Sequence, residues 1–120
     1  MKEKIKDFTQ LDVWKEAHGL ALDIYRITKD FPKEEIYALV SQMRRAAYSA
    51  PSNIAEGFAR FGIKDKVRFY NIAQGSLEEL KYFIILSKDL GYIENDEEYF
   101  AKAKGVARLL TGLVKSVNAR

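Results

Sequence analysis

A chain of 120 residues with 48% hydrophobic and 31% charged side chains is too apolar for intrinsic disorder and too charged for a membrane protein. Its net charge of +3 predicts weak polyanion binding by one copy, although a ring of copies would repeat any basic patch. Without cysteine or an apolar run of about 20 residues, it has no disulfides, thiolate metal sites or membrane span. We expect a cytoplasmic protein with an N-terminal arm (1–8) and a single domain (9–120).

The first predicted helix begins at Thr9 and ends before Pro32. Thr9 and Asp12 have the spacing of a capping box, and Phe8 and Val13 are placed to form a hydrophobic staple around it. Apolar residues then recur at steps of three and four, which is typical of a helix that buries one face. The predicted buried residues are Val13, Trp14, Ala17, Leu20, Ala21, Ile24 and Ile27.

The second predicted helix runs from about Lys33 to Arg60 and contains Pro51 in its interior. Proline lacks a backbone N–H and clashes with the carbonyl of Ala47, at a cost of about 3 kcal/mol or more. We therefore expect a bend for packing, a carbonyl freed for a partner, or a break in the helix. Half of the predicted buried positions are small, which indicates close approach by another backbone. These positions are Leu39, Val40, Met43, Ala46, Ala47, Ala50, Ile54 and Gly57.

The third predicted helix runs from about Lys64 to Leu90, and Gly91 is a natural stop. Its apolar residues cover so much of its circumference that we expect one bundle core to leave an excess, which would form a subunit interface. They are Val67, Phe69, Tyr70, Ile72, Ala73, Leu77, Leu80, Phe83, Ile84, Leu86 and Leu90.

The fourth predicted helix begins at Asn95, with Glu98 at the capping-box position. Its predicted buried residues are Phe100, Ala103, Val106, Ala107, Leu110, Leu113, Val114 and Val117. Four helices joined by short connections predict an all-α, up-down-up-down antiparallel four-helix bundle.

The usual signatures of enzymes are missing from the sequence. The single histidine, His18, has no glutamate three residues before it, so the paired Glu-x-x-His ligands of a di-metal bundle are lacking. The sequence also has no Gly-rich phosphate loop and no nucleophile-elbow motif. We predict no catalytic residues, no metal and no cofactor, and an enzyme is the weaker hypothesis.

Two overlapping sets of polar residues are candidate binding sites. A basic set that could contact nucleic-acid phosphates consists of Arg44, Arg45, Arg60, Lys64, Lys66 and Arg68. A polar ledge beside Pro51, which could bind a ligand or a neighbouring subunit, consists of Ser49, Ser52, Asn53, Glu56 and Arg60. The plainer interpretations are a solvated helix start and a surface Glu56–Arg60 pair worth about 0.2 to 0.5 kcal/mol.

Aromatic residues are interleaved with the basic set, where they could stack on nucleic-acid bases. They are Tyr48, Phe58, Phe61 and Tyr70. Because aromatic residues at helical spacing are more often core residues, we expect them in the core.

Four segments of the sequence carry a family resemblance. They are FTQLDVWKEA (8–17), IYRITKDFP (24–32), SQMRRAAYSAPSNIAEGFAR (41–60) and GSLEEL (75–80). Together they resemble the four-helix bundle family encoded by intervening sequences in bacterial large-subunit (23S) ribosomal RNA genes, over roughly Phe8 to Val117. Ala50 departs from that pattern, since the family more often has a larger aliphatic residue before the proline.

The resemblance implies a small cytosolic bundle that assembles into a homo-oligomeric ring, with a pentamer as the expected form, and the family's function is not established. A related bundle is the accessory protein of diversity-generating retroelements, a basic pentamer that binds reverse transcriptase and nucleic acid. This chain lacks that strongly basic balance.

Three hypotheses therefore stay open. The first is a non-enzymatic homo-oligomer that binds RNA or a nucleic-acid-bound protein and no membrane, with subunit contacts supplied by the second and third helices. The second is a small-molecule binder or enzyme that uses the polar ledge around Pro51, which would require a concave pocket at Glu56. The third is a structural scaffold without a ligand.

Overall fold

Four α-helices dominate the computed structural model, which describes residues 4–120: α1 (Asp12–Thr28), α2 (Ser41–Ala59), α3 (Ile63–Asp89) and α4 (Glu97–Asn118). Each helix packs against two neighbours in the cyclic order α1, α2, α3, α4 and back to α1. The edge between α1 and α2 therefore lies opposite the edge between α3 and α4. Residues 4–120 contain no strand, which confirms the all-α prediction. No helix in this range is long and apolar enough to cross a membrane.

The chain enters the bundle through a short 3-10 turn at Phe8–Gln10. Asp7, rather than Thr9, caps this turn: its carboxylate accepts from the backbone N–H of Thr9 at 3.0 Å, and the Gln10 side chain accepts from the N–H of Asp7 at 3.1 Å. The prediction that α1 starts at Thr9 was therefore wrong, because an equally competent capping pair lies two residues earlier. Residues 1–3 of the predicted arm lie outside the described residues.

The predicted second helix is three segments rather than one. A 3-10 turn at Lys33–Glu35 follows Pro32, a π-helical turn spans Ile36–Val40, and α2 begins only at Ser41. From there α2 continues through Pro51 without a break, which excludes the predicted alternative of a strand or turn at the proline. Single π-helical turns are rare, and they are frequent at functional sites.

The helical periodicity identified the buried faces correctly. All eight residues of the predicted stripe over 39–57 are buried, and the predicted stripes of α1 and α4 are buried or half-buried throughout. The core expectation fails for two aromatic residues, because Tyr48 is 50% exposed and Phe61 is 101% exposed. Tyr48 lies on the face of α2 away from the core, and Phe61 lies in the turn between α2 and α3.

Helix α3 is covered by its own bundle more fully than the sequence suggested. Of its eleven predicted apolar residues, five are buried, four are half-buried, and only Ile72 and Leu90 are exposed. A helix that contacts both α2 and α4 can use a wide apolar face, so the excess is smaller than expected. Three other large apolar residues of α3, namely Ile63, Tyr82 and Ile85, remain exposed.

Helices α2 and α3 approach each other closely at Gly57. A Cβ atom built there would lie 2.5 Å from Cε1 and 2.8 Å from Cδ1 of Tyr70, and 3.2 Å from the backbone oxygen of Lys66. Tyr70 is 1% exposed, so its ring has no solvent to move into. The prediction that small residues on α2 permit close backbone approach is confirmed at this position.

The ends of α3 and α4 follow local hydrogen-bonding rules. Gly91 has φ +81, its N–H donates to the carbonyl of Lys88 at 3.0 Å, and the N–H of Tyr92 donates to the carbonyl of Ser87 at 2.9 Å. This is a Schellman motif, and it confirms the predicted stop. Helix α4 starts at Glu97, two residues after the predicted Asn95, whose side chain accepts from the N–H of Glu97 at 2.9 Å.

Candidate functional site

A concave surface with an excess of positive charge lies between the end of α1 and the start of α2. This basic cleft has a volume of about 680 Å³, within the range of ligand-binding pockets. It forms because the chain reverses at Phe31 and Pro32, which brings the last turn of α1 beside the π-helical turn and the first two turns of α2. Its lining residues are Tyr25, Thr28, Lys29, Phe31, Lys33, Ile36, Tyr37, Val40, Ser41, Arg44, Arg45 and Tyr48.

Arg44 is held in place at the floor of the basic cleft. Its Nε donates to the hydroxyl oxygen of Thr28 at 2.9 Å, and Nη2 donates to the backbone oxygen of Tyr25 at 3.3 Å. The guanidinium carbon lies 4.6 Å from the centre of the Tyr25 ring. Thr28 is only 3% exposed, and its own hydroxyl donates to the carbonyl of Ile24 at 2.7 Å. Two of the five guanidinium N–H groups are used, and the other three have no hydrogen-bond partner among the described residues.

The basic cleft is lined by cations and by no carboxylate of residues 4–120. None of its cations, Lys29, Lys33, Arg44 or Arg45, forms an ion pair with a residue that the structure describes. The acidic residues of the same connection do not line the cleft, and the carboxylate of Glu35 instead accepts from the Tyr92 hydroxyl at 2.8 Å. Arg45 also borders a neighbouring hollow that contains Glu79. Four cations around one concavity, without ion-pair partners in the described part of the chain, favour an anionic ligand.

Aromatic rings surround these cations. Tyr37, in the π-helical turn, is 95% exposed, while Tyr48 lies one turn beyond Arg44 and Arg45 on α2. The ring of Tyr25 is already covered by the Arg44 guanidinium. Tyr37 and Tyr48 therefore present ring surface to an incoming ligand.

The other members of the predicted basic set do not line the basic cleft. The first of them, Arg60, follows Arg44 by 16 residues of mainly helical chain, which corresponds to a rise of about 24 Å. Arg60 pairs with Glu56 at 3.0 Å, and Arg68 contacts Asp65 at 3.7 Å. Both guanidinium groups also lie against the ring of Phe69, at 4.7 and 4.6 Å from its centre. These two arginines already have partners within the protein.

Of the two lysines in the predicted basic set, Lys66 has partners within the protein, whereas Lys64 is exposed. The ammonium of Lys66 donates to the backbone oxygens of Phe58 at 2.7 Å and Gly57 at 3.3 Å, so it caps the end of α2. Burial lowers the pKa of Lys66, and the charge of Arg120 acts in the same direction. Lys64 is exposed at the start of α3. The structure therefore separates the predicted set into a cleft pair, Arg44 and Arg45, and a group with mainly local contacts.

The predicted polar ledge divides into two parts. Asn53 donates to the backbone oxygen of Ser49 at 2.8 Å and to its hydroxyl oxygen at 3.0 Å, and the hydroxyls of Ser49 and Ser76 lie 2.8 Å apart. These three residues form a polar contact between α2 and α3. Ser52 is exposed, and 53% of the Glu56 side chain is exposed, which places its pair with Arg60 on an open surface rather than in a concave pocket.

Sequence reasoning identified Arg44 and Arg45, but it placed Tyr48 in the core and missed the cleft residues that precede α2. Tyr25 and Lys29 are four residues apart, as are Lys33 and Tyr37. The repeated pairing of an aromatic with a cation on either side of Pro32 was the available signal. Within residues 4–120, no three His, Asp or Glu side chains come together as a metal site.

Comparisons with known proteins place the fold. The model of the 23S rRNA-intervening sequence protein family matches residues 9–112, in agreement with the resemblance seen in the sequence. The crystal structure of a protein with unknown function from the S23 ribosomal protein family of Bacteroides thetaiotaomicron superposes with a TM-score of 0.79 at 23% identity, covering 86% of this chain and 98% of that chain. No curated protein matches this sequence. The relation to the accessory protein of diversity-generating retroelements stays a prediction.

Proposed function

For this chain, which belongs to the 23S rRNA-intervening sequence protein family, we propose a non-enzymatic, homo-oligomeric protein that binds RNA through the basic cleft. The observation that carries the proposal is the set of four cations that surround one concavity without ion-pair partners among the described residues. Binding would come from charge complementarity, since cations that contact phosphates release condensed counterions.

Salt dependence of RNA binding is the direct test. If all four cations contact phosphates, the logarithm of the association constant should fall with the logarithm of salt concentration with a slope of about −2.8 for a single strand, or ~0.7 per contact. Removing Lys33 and Arg45, which are both exposed, should weaken binding and reduce that slope by about 1.4. Lys15→Ala is the control, because Lys15 is an exposed cation of α1 outside the basic cleft, and Lys64→Ala tests the alternative surface at the start of α3.

The outcomes separate the hypotheses. RNA affinity that depends on Lys33 and Arg45 but not on Lys64 supports the proposal. Affinity that depends equally on Lys64 would move the contact surface to the α2–α3 turn. The absence of RNA binding at low salt would reject RNA binding and favour the scaffold hypothesis.

Self-association is supported by apolar surface on the opposite side of the bundle. A groove of about 590 Å³ beside the start of α3 is lined by the apolar residues Ile63, Val67 and Ile72 and by the polar residues Lys64, Arg68, Asn71 and Asn118. Ile63 and Ile72 are both exposed. A second copy that covered this groove would remove apolar surface from water and leave the basic cleft of the first copy open, and in a ring of five the covering patch differs from the groove itself.

Light scattering on the purified protein tests this part of the proposal. We expect a multiple of 13.8 kDa, with five copies as the expected number. Ile63→Lys with Ile72→Lys should shift the protein toward the monomer, because two buried charges would oppose association. Leu22→Lys on α1 is a control of similar exposure. A folded monomer at all concentrations would reject the homo-oligomer.

A further inference from the structure

The basic cleft combines phosphate-binding cations with exposed aromatic rings, and this combination indicates which form of RNA it accepts. Resting on the proposed function, we propose that the basic cleft binds an unpaired stretch of RNA, with phosphates on Lys29, Lys33, Arg44 and Arg45 and with bases stacked on Tyr37 and Tyr48. Duplex RNA would use the cations alone, because its bases are already stacked on one another and paired.

The position of the cations favours an RNA backbone that runs along the basic cleft. Lys29 directly follows α1, Lys33 lies in the 3-10 turn, and Arg44 and Arg45 lie on α2, so positive charge reaches the cleft from α2 and from the connection that precedes it. Arg44 is oriented before any ligand arrives, by its bonds to Thr28 and Tyr25. A planar guanidinium held in one orientation loses little entropy when it meets a phosphate.

The tyrosines supply what a purely electrostatic site would lack. Tyr37 projects from the π-helical turn with nearly its whole side chain in water, an arrangement that protein packing does not explain. Tyr48 is half exposed and lies on the same face of α2 as Arg44 and Arg45, at helical spacings of four and three. Stacking of a base on an aromatic ring accepts any base, so the site should tolerate sequence changes.

The test measures binding of fluorescently labelled RNA to the full chain by anisotropy at about 50 mM salt. The two probes are a single strand of about twelve nucleotides and a blunt duplex of the same length. The main variant carries Tyr37→Ala with Tyr48→Ala, and circular dichroism checks that it is folded. Tyr82→Ala on α3 is the matched control, because Tyr82 is an exposed tyrosine outside the basic cleft.

We expect the wild-type protein to prefer the single strand, and the double variant to lose about tenfold in single-strand affinity for each stacked base while duplex affinity changes little. A second variant, Tyr37→Phe with Tyr48→Phe, keeps both rings and should retain binding. Equal affinity for both probes, or a double variant that behaves like Tyr82→Ala, would overturn this inference but leave RNA binding by the basic cleft intact. No binding of either probe would overturn both.

Discussion

Gly57 sets the distance between α2 and α3, and replacing it with alanine should destabilise the protein. The added methyl group would overlap two ring carbons of Tyr70, which is buried and cannot move into solvent. Overpacking of this kind lowers the free energy of unfolding by about 1 to 3 kcal/mol, while the better helix propensity of alanine raises it by about 0.5 to 1 kcal/mol. The net loss of about 1 kcal/mol corresponds to a fall in Tm of about 4 °C for a domain of this size.

Thermal and urea unfolding followed by far-UV circular dichroism would measure the effect. Gly75→Ala is the matched control, because Gly75 also lies inside a helix, but a Cβ atom placed there would meet no other part of the protein within 4 Å. The free energy of unfolding of that variant should rise by about 0.5 to 1 kcal/mol, so the two substitutions should move Tm in opposite directions.

A double-mutant cycle identifies the cause of the expected loss. In a Tyr70→Leu background, which removes the ring carbons closest to the new methyl group, Gly57→Ala should cost less than it does in the wild-type protein. If Gly57→Ala is as stable as the wild type, the helices separate at no cost and the argument from close approach is refuted.

Three further predictions concern individual side chains. Lys66→Met should lower stability in urea by about 1 to 2 kcal/mol, because the last carbonyls of α2 lose a charged donor; an unchanged midpoint would contradict the capping role. The hydrogen bond to Glu35 raises the pKa of Tyr92 above its ordinary value. The stability that this hydrogen bond contributes is therefore complete below about pH 10 and is lost as pH rises through the raised pKa. Urea midpoints of the wild type should thus fall more steeply above pH 10 than those of Tyr92→Phe, and parallel curves would refute the link. Glu56→Ala should change stability by less than about 0.5 kcal/mol, since its pair with Arg60 is exposed; a larger loss in thermal unfolding would reveal a role beyond that pair.

The sequence determined most of the fold because helical periodicity is a strong local signal. The stripe from Leu39 to Gly57 is buried as predicted, although its first two members lie in the π-helical turn and only the other six lie in α2. Helix starts were less predictable, because Asp7 and Thr9 are both competent caps and only the packed structure selects between them. The π-helical turn at Ile36–Val40 has no local signature that distinguishes it from an α-helix.

The candidate site was predictable only in part, for a related reason. Arg44 and Arg45 were identifiable as neighbours on one helix, whereas Lys29 joins them through the chain reversal at Pro32. Arg60 and Arg68 belonged to the same basic run, but their partners on nearby turns became visible only when the helices were placed together. Charge content can be read along a chain, while the compensation of a charge depends on tertiary contacts.

The cyclic order of the four helices also determines how copies of this protein would cooperate. If the contacts between copies in a ring used surfaces other than the α1–α2 edge, every α1–α2 edge would stay open to solvent. One long flexible polymer could then occupy several of these edges in succession, and each engagement would raise the effective concentration of the next. Avidity of this kind would let an assembly of chains with modest net charge bind such a polymer more tightly than an isolated copy can.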